Sequence, residues 1–191
     1  TETPGMRWFR YPDADEQNPL LAAAIERQRQ RIPTGAIGVA TGAWAGSKDL
    51  FERDPATHPL RDWIESLLEG HYQLDAWGFI VQRGQRVELH AIVAVTAGFN
   101  AFAGVYCIEY PPQSGQLIAE GTDTDKEDPV RPGDLVIFDA TFRHEITEHA
   151  ASARRVSIAF NAQALTEPRI TKVELDAARS RVPARKGQGE V

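Results

Sequence analysis

The stretch RHEITEHAASARRVSIAFN, residues 143–161, sets a histidine, then an arginine and a serine, into segments whose β-branched and aromatic residues predict strands. Strand side chains alternate between faces. Arg155, Ser157, Ala159 and Asn161 therefore share one face, and Val156, Ile158 and Phe160 share the other. A guanidinium fork grips a carboxylate through two parallel charge-assisted hydrogen bonds, and a hydroxyl two residues along adds a third from the same side. Arg155 and Ser157 are thus a candidate carboxylate clamp inside a β structure. The alternative is an arginine on a solvated hairpin, where arginines commonly lie.

Two histidines add a second kind of chemistry. His144 follows the turn-and-strand unit RPGDLVIFDATF, and His90 sits in the apolar strand RVELHAIVAV, where a lone ionisable ring needs an explanation. A single buried histidine is usually a hydrogen-bonded core residue. Two on different strands, one of them shortly before a carboxylate clamp, point to a divalent metal, because two imidazoles with open positions beside them suit an oxygen-activating iron. His149 competes with His144, but its place beside the turn AASA predicts a more solvated ring. His58 and His71 lie at the two ends of a predicted helix, where capping and dipole roles account for them.

The elements that must hold these residues follow from the hydrophobic periods. Asn18 and Pro19 open NPLLAAAIERQRQR as an N-cap and a first helical residue, predicting a helix of about three turns. A second helix is predicted in THPLRDWIESLLEGHYQ, capped by Thr57, with Leu60, Trp63, Ile64, Leu67 and Leu68 forming one apolar stripe. From Asp75 onward the chain reads as antiparallel strands: AWGFIVQRG, QRVELHAIVAV, GVYCIEYPP, GQLIAEG, DLVIFD, RHEITEH and RVSIAFNAQ. Helices placed before the strands rather than between them exclude a βαβ architecture and favour a mainly β sandwich or jelly roll with N-terminal helices packed on one side. The segment EGTDTDKEDPVRPGD reads as a solvated loop, since the spacing of a calcium-binding loop is absent. After Asn161 comes one more short helical pattern. Residues 1–178 are expected to form a single domain and residues 179–191 a frayed tail.

Composition narrows the partners. With 191 residues the chain is long enough to bury about two-thirds of its extended surface. Its one cysteine, Cys107, excludes a disulfide within the chain and a CxxC metal site, leaving a buried, inert thiol as the expectation. A net charge of -6 argues against nucleic acid as a partner, because that role needs a cationic surface. No apolar run reaches the roughly 18 residues of a membrane span, and TETPGMRWFRYPD lacks the layout of a signal peptide, so a cytoplasmic protein with a small-molecule substrate and no membrane partner is expected. A homodimer is compatible with this.

Taken in order, these motifs resemble a known family. From Trp77 to Asn161 the chain is similar to the small iron(II)- and 2-oxoglutarate-dependent oxygenases with a double-stranded β-helix, or jelly roll. The shared features are a Trp strand, Gly84 six residues before His90, the GVYCIEY strand, PGDLVIF, His144 and RVSIAFN; upstream, TGAWAGSKDLF matches as well. In that family two histidines and a carboxylate hold the iron, and an arginine on the last strand, often with a serine two residues on, binds the far carboxylate of 2-oxoglutarate. The resemblance implies His90 and His144 as iron ligands and Arg155 with Ser157 as the co-substrate clamp, with Fe(II) and 2-oxoglutarate as the groups required. Tyr106 and Asn161 are further candidates for lining that site, Asn161 because it continues the Arg155 face.

One position departs from the pattern. The family carries its third ligand two residues after the first histidine, where this chain has Ile92. Glu88, two residues before His90, is the substitute on a regular strand; Glu109 and Asp139 are further carboxylates with poorer positional logic. The expected function is oxidation of a small organic substrate. The rival readings are a cupin-like metal enzyme, or a metal-binding jelly roll, that uses histidines without 2-oxoglutarate, and a jelly-roll binding module that has lost its iron.

Overall fold

A computed structural model describes residues 5–36, 42–90, 100–120 and 128–165, with the backbone alone described for Leu89, His90 and Asn100. The expectations for residues 91–99, for 121–127 of the acidic loop, and for the helical pattern and tail after Leu165 lie outside the described residues.

Among the described residues, nine strands and three helices run in the order β1 (Arg7–Arg10), α1 (Ala14–Arg31), β2 (Trp44–Ala45), α2 (Leu50–Arg53), α3 (His58–Leu67), β3 (Tyr72–Val81), β4 (Val87–His90), β5 (Asn100–Glu109), β6 (Leu117–Ala119), β7 (Asp134–Asp139), β8 (His144–Ile146) and β9 (Arg155–Ala164). They pair into a six-stranded sheet, β1-β7-β5-β9-β3-β2, and a three-stranded sheet, β4-β8-β6. From β3 onward successive strands go to alternate sheets, which is the winding of a jelly roll. The long strand β9 lies between β5 and β3 and pairs with β3 over all ten residues, from Tyr72↔Ala164 to Val81↔Arg155. The turn before β7 is built by Pro132 and by Gly133, whose φ of +91° no branched residue tolerates; it closes with the Asp134 N–H on the Arg131 carbonyl at 3.1 Å.

The helices cover one face of the large sheet. Leu21 and Ile25 of α1, Phe51 of α2, and Leu60 and Ile64 of α3 pack with Leu74, Ile80, Ile137, Val156, Ile158 and Phe160 in the main core. Gln28 of α1 is buried there with both ends used: its Oε1 accepts from the Gly78 N–H at 3.0 Å, and its Nε2 donates to the Ser47 carbonyl at 2.8 Å. Smaller apolar clusters lie between the sheets, one joining Phe79 and Val81 to Val87 and Ile146, the other joining Ala103, Val105, Val136 and Phe138.

Several sequence expectations need correction. Helix α1 begins at Ala14, a turn before Asn18, with Asp15 and Glu16 in its first turn where the dipole favours acidic groups. Asn18 is therefore not a cap; its Oδ1 accepts from the Tyr106 hydroxyl at 2.6 Å and ties the helix to β5. Thr57 occupies the N-cap of α3 without capping it, because its hydroxyl donates to the Asp54 carbonyl at 2.7 Å. Strands β1 and β2 carry no sequence signal, being short edges. No described helix is long and apolar enough to cross a membrane.

Candidate active site

Strand β9 has two buried faces of opposite character. Val156, Ile158 and Phe160 point into the helix-covered core. Arg155 (1% exposed), Ser157 (0%) and Asn161 (4%) are buried on the other side, between the sheets. Burying polar atoms without partners is costly, yet Arg155 Nε, Ser157 Oγ and Asn161 Oδ1 have none among the described residues. The arginine is not solvated, and it forms no ion pair among the described residues. Its Nη1 donates to the Gly115 carbonyl at 2.8 Å, and its guanidinium carbon lies 5.1 Å from the centre of the Tyr110 ring. Its neighbour Arg154 points elsewhere, donating through Nε and Nη2 to Glu109 at 3.1 and 3.2 Å.

Arg155 opens onto a cavity of about 540 Å³ between the sheets. Val105, Cys107, Val136, Leu117 and Trp8 make its apolar wall, and Gln113, Ser114, Gln116 and Arg131 are among its polar residues. Cys107 is buried, as composition suggests, but it stands directly across from Ser157 and forms part of the wall. Tyr110, which sequence reasoning did not single out, donates its hydroxyl to the Gly115 carbonyl at 3.1 Å. Burial pushes its pKa up against the opposing pull of Arg155, so the hydroxyl keeps its proton. Tyr110 lies directly after β5, beside the GVYCIE run.

Tyr106 is not brought to this cavity. It lies on the helix-covered face, edge-on to Tyr11 with ring centres 5.9 Å apart, and burial raises its pKa far above the usual range. The alternation that places Cys107 on the cavity wall sends Tyr106 to the opposite face.

The two candidate metal histidines are brought together in register. His90, the last residue of β4, is the cross-strand partner of His144, the first of β8. Their backbones face each other directly across the ladder, which is as far as His90 is described. The His144 ring stands edge-on to Phe138 with centres 5.0 Å apart, and its Nδ1 lies 3.2 Å from the Phe142 carbonyl. A carbonyl only accepts, so Nδ1 is the donor in this contact. His149, expected to be solvated, is instead fully buried, because both its ring nitrogens bond to backbone. Among the others, His71 is exposed, and His58 stands at the start of α3 with Nε2 buried and unpartnered among the described residues.

The carboxylate candidates are placed less favourably. Between Val87 and His90 the ladder shifts register, so the strict alternation that would group Glu88 with His90 is broken there. The Glu88 side chain is 67% exposed and pairs with Arg86 at 3.4 Å. Glu109 is engaged by Arg154, and Asp139 Oδ1 accepts from the Thr141 N–H and hydroxyl at 2.8 and 2.6 Å. Among the described residues no three histidine, cysteine or carboxylate groups converge on one point. The donor set therefore fits the two expected groups unequally. The unpartnered Arg155 and Ser157 atoms fit a carboxylate-bearing molecule, whereas for a divalent metal the described residues offer the His144 ring, opposite the His90 backbone, and no third donor converges with it.

No family model matches the chain, and no curated protein matches it. Its fold is found among solved structures. A prolyl-4-hydroxylase from Pseudomonas putida superposes with a TM-score of 0.64 at 19% identity, over 86% of this chain and 95% of that one. A Trichoplax adhaerens prolyl hydroxylase, in complex with a hypoxia inducible factor peptide fragment, has a TM-score of 0.61 at 15% identity, over 84% of each chain. HygX from Streptomyces hygroscopicus, with nickel, 2-oxoglutarate and hygromycin B bound, has a TM-score of 0.62 at 12% identity, over 85% of this chain and 84% of that one. The chain shares with these proteins the double-stranded β-helix.

Proposed function

We propose that this protein is an iron(II)- and 2-oxoglutarate-dependent oxygenase acting on a small organic substrate. The observation that carries the reading is the fully buried Arg155, with Nε and the Ser157 hydroxyl unpartnered among the described residues, on the wall of a cavity in a fold shared with enzymes of that kind. Neither a cupin-like metal protein nor a binding module requires a buried cation there. The chemistry that iron supplies when bound is oxidation of a substrate by dioxygen, coupled to conversion of 2-oxoglutarate to succinate and carbon dioxide.

The chain's own residues have distinct tasks. Arg155 and Ser157 hold the far carboxylate of the co-substrate, with the Tyr110 ring against the guanidinium. Val105, Val136 and Leu117 keep the intervening space dry, which strengthens those charge-assisted bonds. His144 would hold the metal, its ring set by the Phe142 carbonyl and the Phe138 edge, with His90 as its partner from β4. Asn161, further along the Arg155 face and across from Ala103, borders the end of the barrel where Phe138 meets His144. The two histidines would hold the metal, and among the described residues no cluster of three donors adds a further protein ligand.

Anaerobic titration with Fe(II) and 2-oxoglutarate, followed by absorbance, tests this reading. A weak visible charge-transfer band that saturates with both components is expected. Metal binding without any response to 2-oxoglutarate would favour the cupin-like alternative, and binding of neither would favour a module without metal.

A further inference from the structure

His149 is a fully buried imidazole outside the machinery described above, and both its nitrogens are committed to backbone. Nε2 lies 2.7 Å from the Ala153 carbonyl, so it carries the proton, and Nδ1 accepts from the Gly115 N–H at 3.4 Å. These two partners flank Arg155 from different directions. Ala153 is two residues before Arg155 and leads into β9, and the Gly115 carbonyl receives Arg155 Nη1 at 2.8 Å and the Tyr110 hydroxyl at 3.1 Å.

Gly115 is a poor anchor on its own, because without a Cβ its backbone dihedrals are weakly restricted. It cannot be exchanged for a stiffer residue, since a Cβ there would lie 2.2 Å from the Thr147 carbonyl oxygen. Its neighbours are zipped to the segment after β8: the Gln116 N–H donates to the Thr147 hydroxyl at 2.8 Å, and the Ala150 N–H to the Gln113 carbonyl at 3.1 Å. The Gly115 N–H itself is held by His149. We infer that His149 is a positioning residue for the carboxylate clamp: its Nδ1 holds the Gly115 N–H, so that the Gly115 carbonyl keeps Arg155 Nη1 in place and Arg155 presents its Nε edge to 2-oxoglutarate, while the bond to Ala153 only seats the imidazole.

The inference rests on the proposed co-substrate, and two substitutions separate positioning from packing. Asn at position 149 keeps an acceptor where Nδ1 stands, and Gln keeps a donor where Nε2 stands. In the Mn(II)-loaded protein, His149→Gln should weaken 2-oxoglutarate binding by about tenfold, the scale of one lost hydrogen bond in a dry site. His149→Asn should stay within about threefold of the parent, and both should bind Mn(II) as the parent does. Equal effects of the two on 2-oxoglutarate, no effect of either, or losses that merely follow the fall in melting temperature would each overturn the inference. Failure of the parent to bind 2-oxoglutarate would instead sink the proposed function. In that case the ligand-free protein still decides the relay: the Gly115 amide and Arg155 Nε–H resonances should move in His149→Gln and stay in place in His149→Asn, and the reverse or no difference would refute it.

Discussion

The two faces of β9 bury polar and apolar groups under different rules. Where the helices meet the sheet the buried polar groups are matched, Gln28 satisfying Gly78 and Ser47 and the Tyr106 hydroxyl meeting Asn18; His58 Nε2, at the start of α3, is an exception. On the cavity face Arg155, Ser157 and Asn161 are as deeply buried, yet each keeps an atom without a partner among the described residues. The first pattern is that of structure, where every buried polar group is answered within the fold. The second is that of a binding surface, where the answer comes from a ligand. Burial alone does not separate the two; satisfaction does.

Substitutions on the two faces should therefore separate stability from binding. The largest effect is expected for Phe160→Ala, which removes a ring buried among the helix contacts and should lower unfolding free energy by about 3–5 kcal/mol in denaturant titration. The folded fraction should bind 2-oxoglutarate as before, and weaker binding would blur the distinction between faces. Next is Arg155→Ala, for which co-substrate affinity should fall at least about thirtyfold, the low end of the roughly 2–5 kcal/mol lost with one partner of a buried charged pair. Arg155→Lys should recover little, because an ammonium lacks the planar fork. Unchanged affinity in Arg155→Ala would mean that the cavity face is not the co-substrate site.

A finer comparison sets Gln28→Ala against Ser157→Ala. The first strands the buried Gly78 N–H and should cost about 1–3 kcal/mol of stability, whereas the second removes an already unpartnered hydroxyl and should cost nothing or stabilise the ligand-free protein. Similar losses in both would show that the serine is satisfied in solution. The smallest effect is expected for Glu88→Ala. Its exposed pair with Arg86 is worth about 0–1 kcal/mol, and metal affinity measured by competition with a chelator should stay within about threefold. A drop of a hundredfold or more would restore Glu88 as a ligand.

Much of the frame was legible because period-2 alternation is local. The β7 strand was read at its full extent, DLVIFD, and the Arg155–Ser157–Asn161 face followed from counting along β9. Counting failed where the backbone left its period, as at the register shift between Val87 and His90 that separates Glu88 from the expected grouping. It failed again where a side chain's role was set by a distant segment. Asn18 looked like a helix cap because the Tyr106 hydroxyl that claims it is 88 residues away, and His149 looked solvated because Gly115 is 34 residues away.

The residue string by itself determined the mainly β class, the helices preceding the run of strands from β3 onward, and the clustering of Arg155 and Ser157 on one face, since each depends on spacing within a single element. Which face of β5 meets the helices and which meets the cavity was decided by tertiary structure. Alternation divides Tyr106 from Cys107 but does not say which of the two sheet faces is covered, and only packing of α1 against the sheet settles that. The cross-strand pairing of His90 with His144 was likewise a product of winding, because residues 54 apart in the chain become neighbours only when β4 and β8 are laid side by side in the smaller sheet.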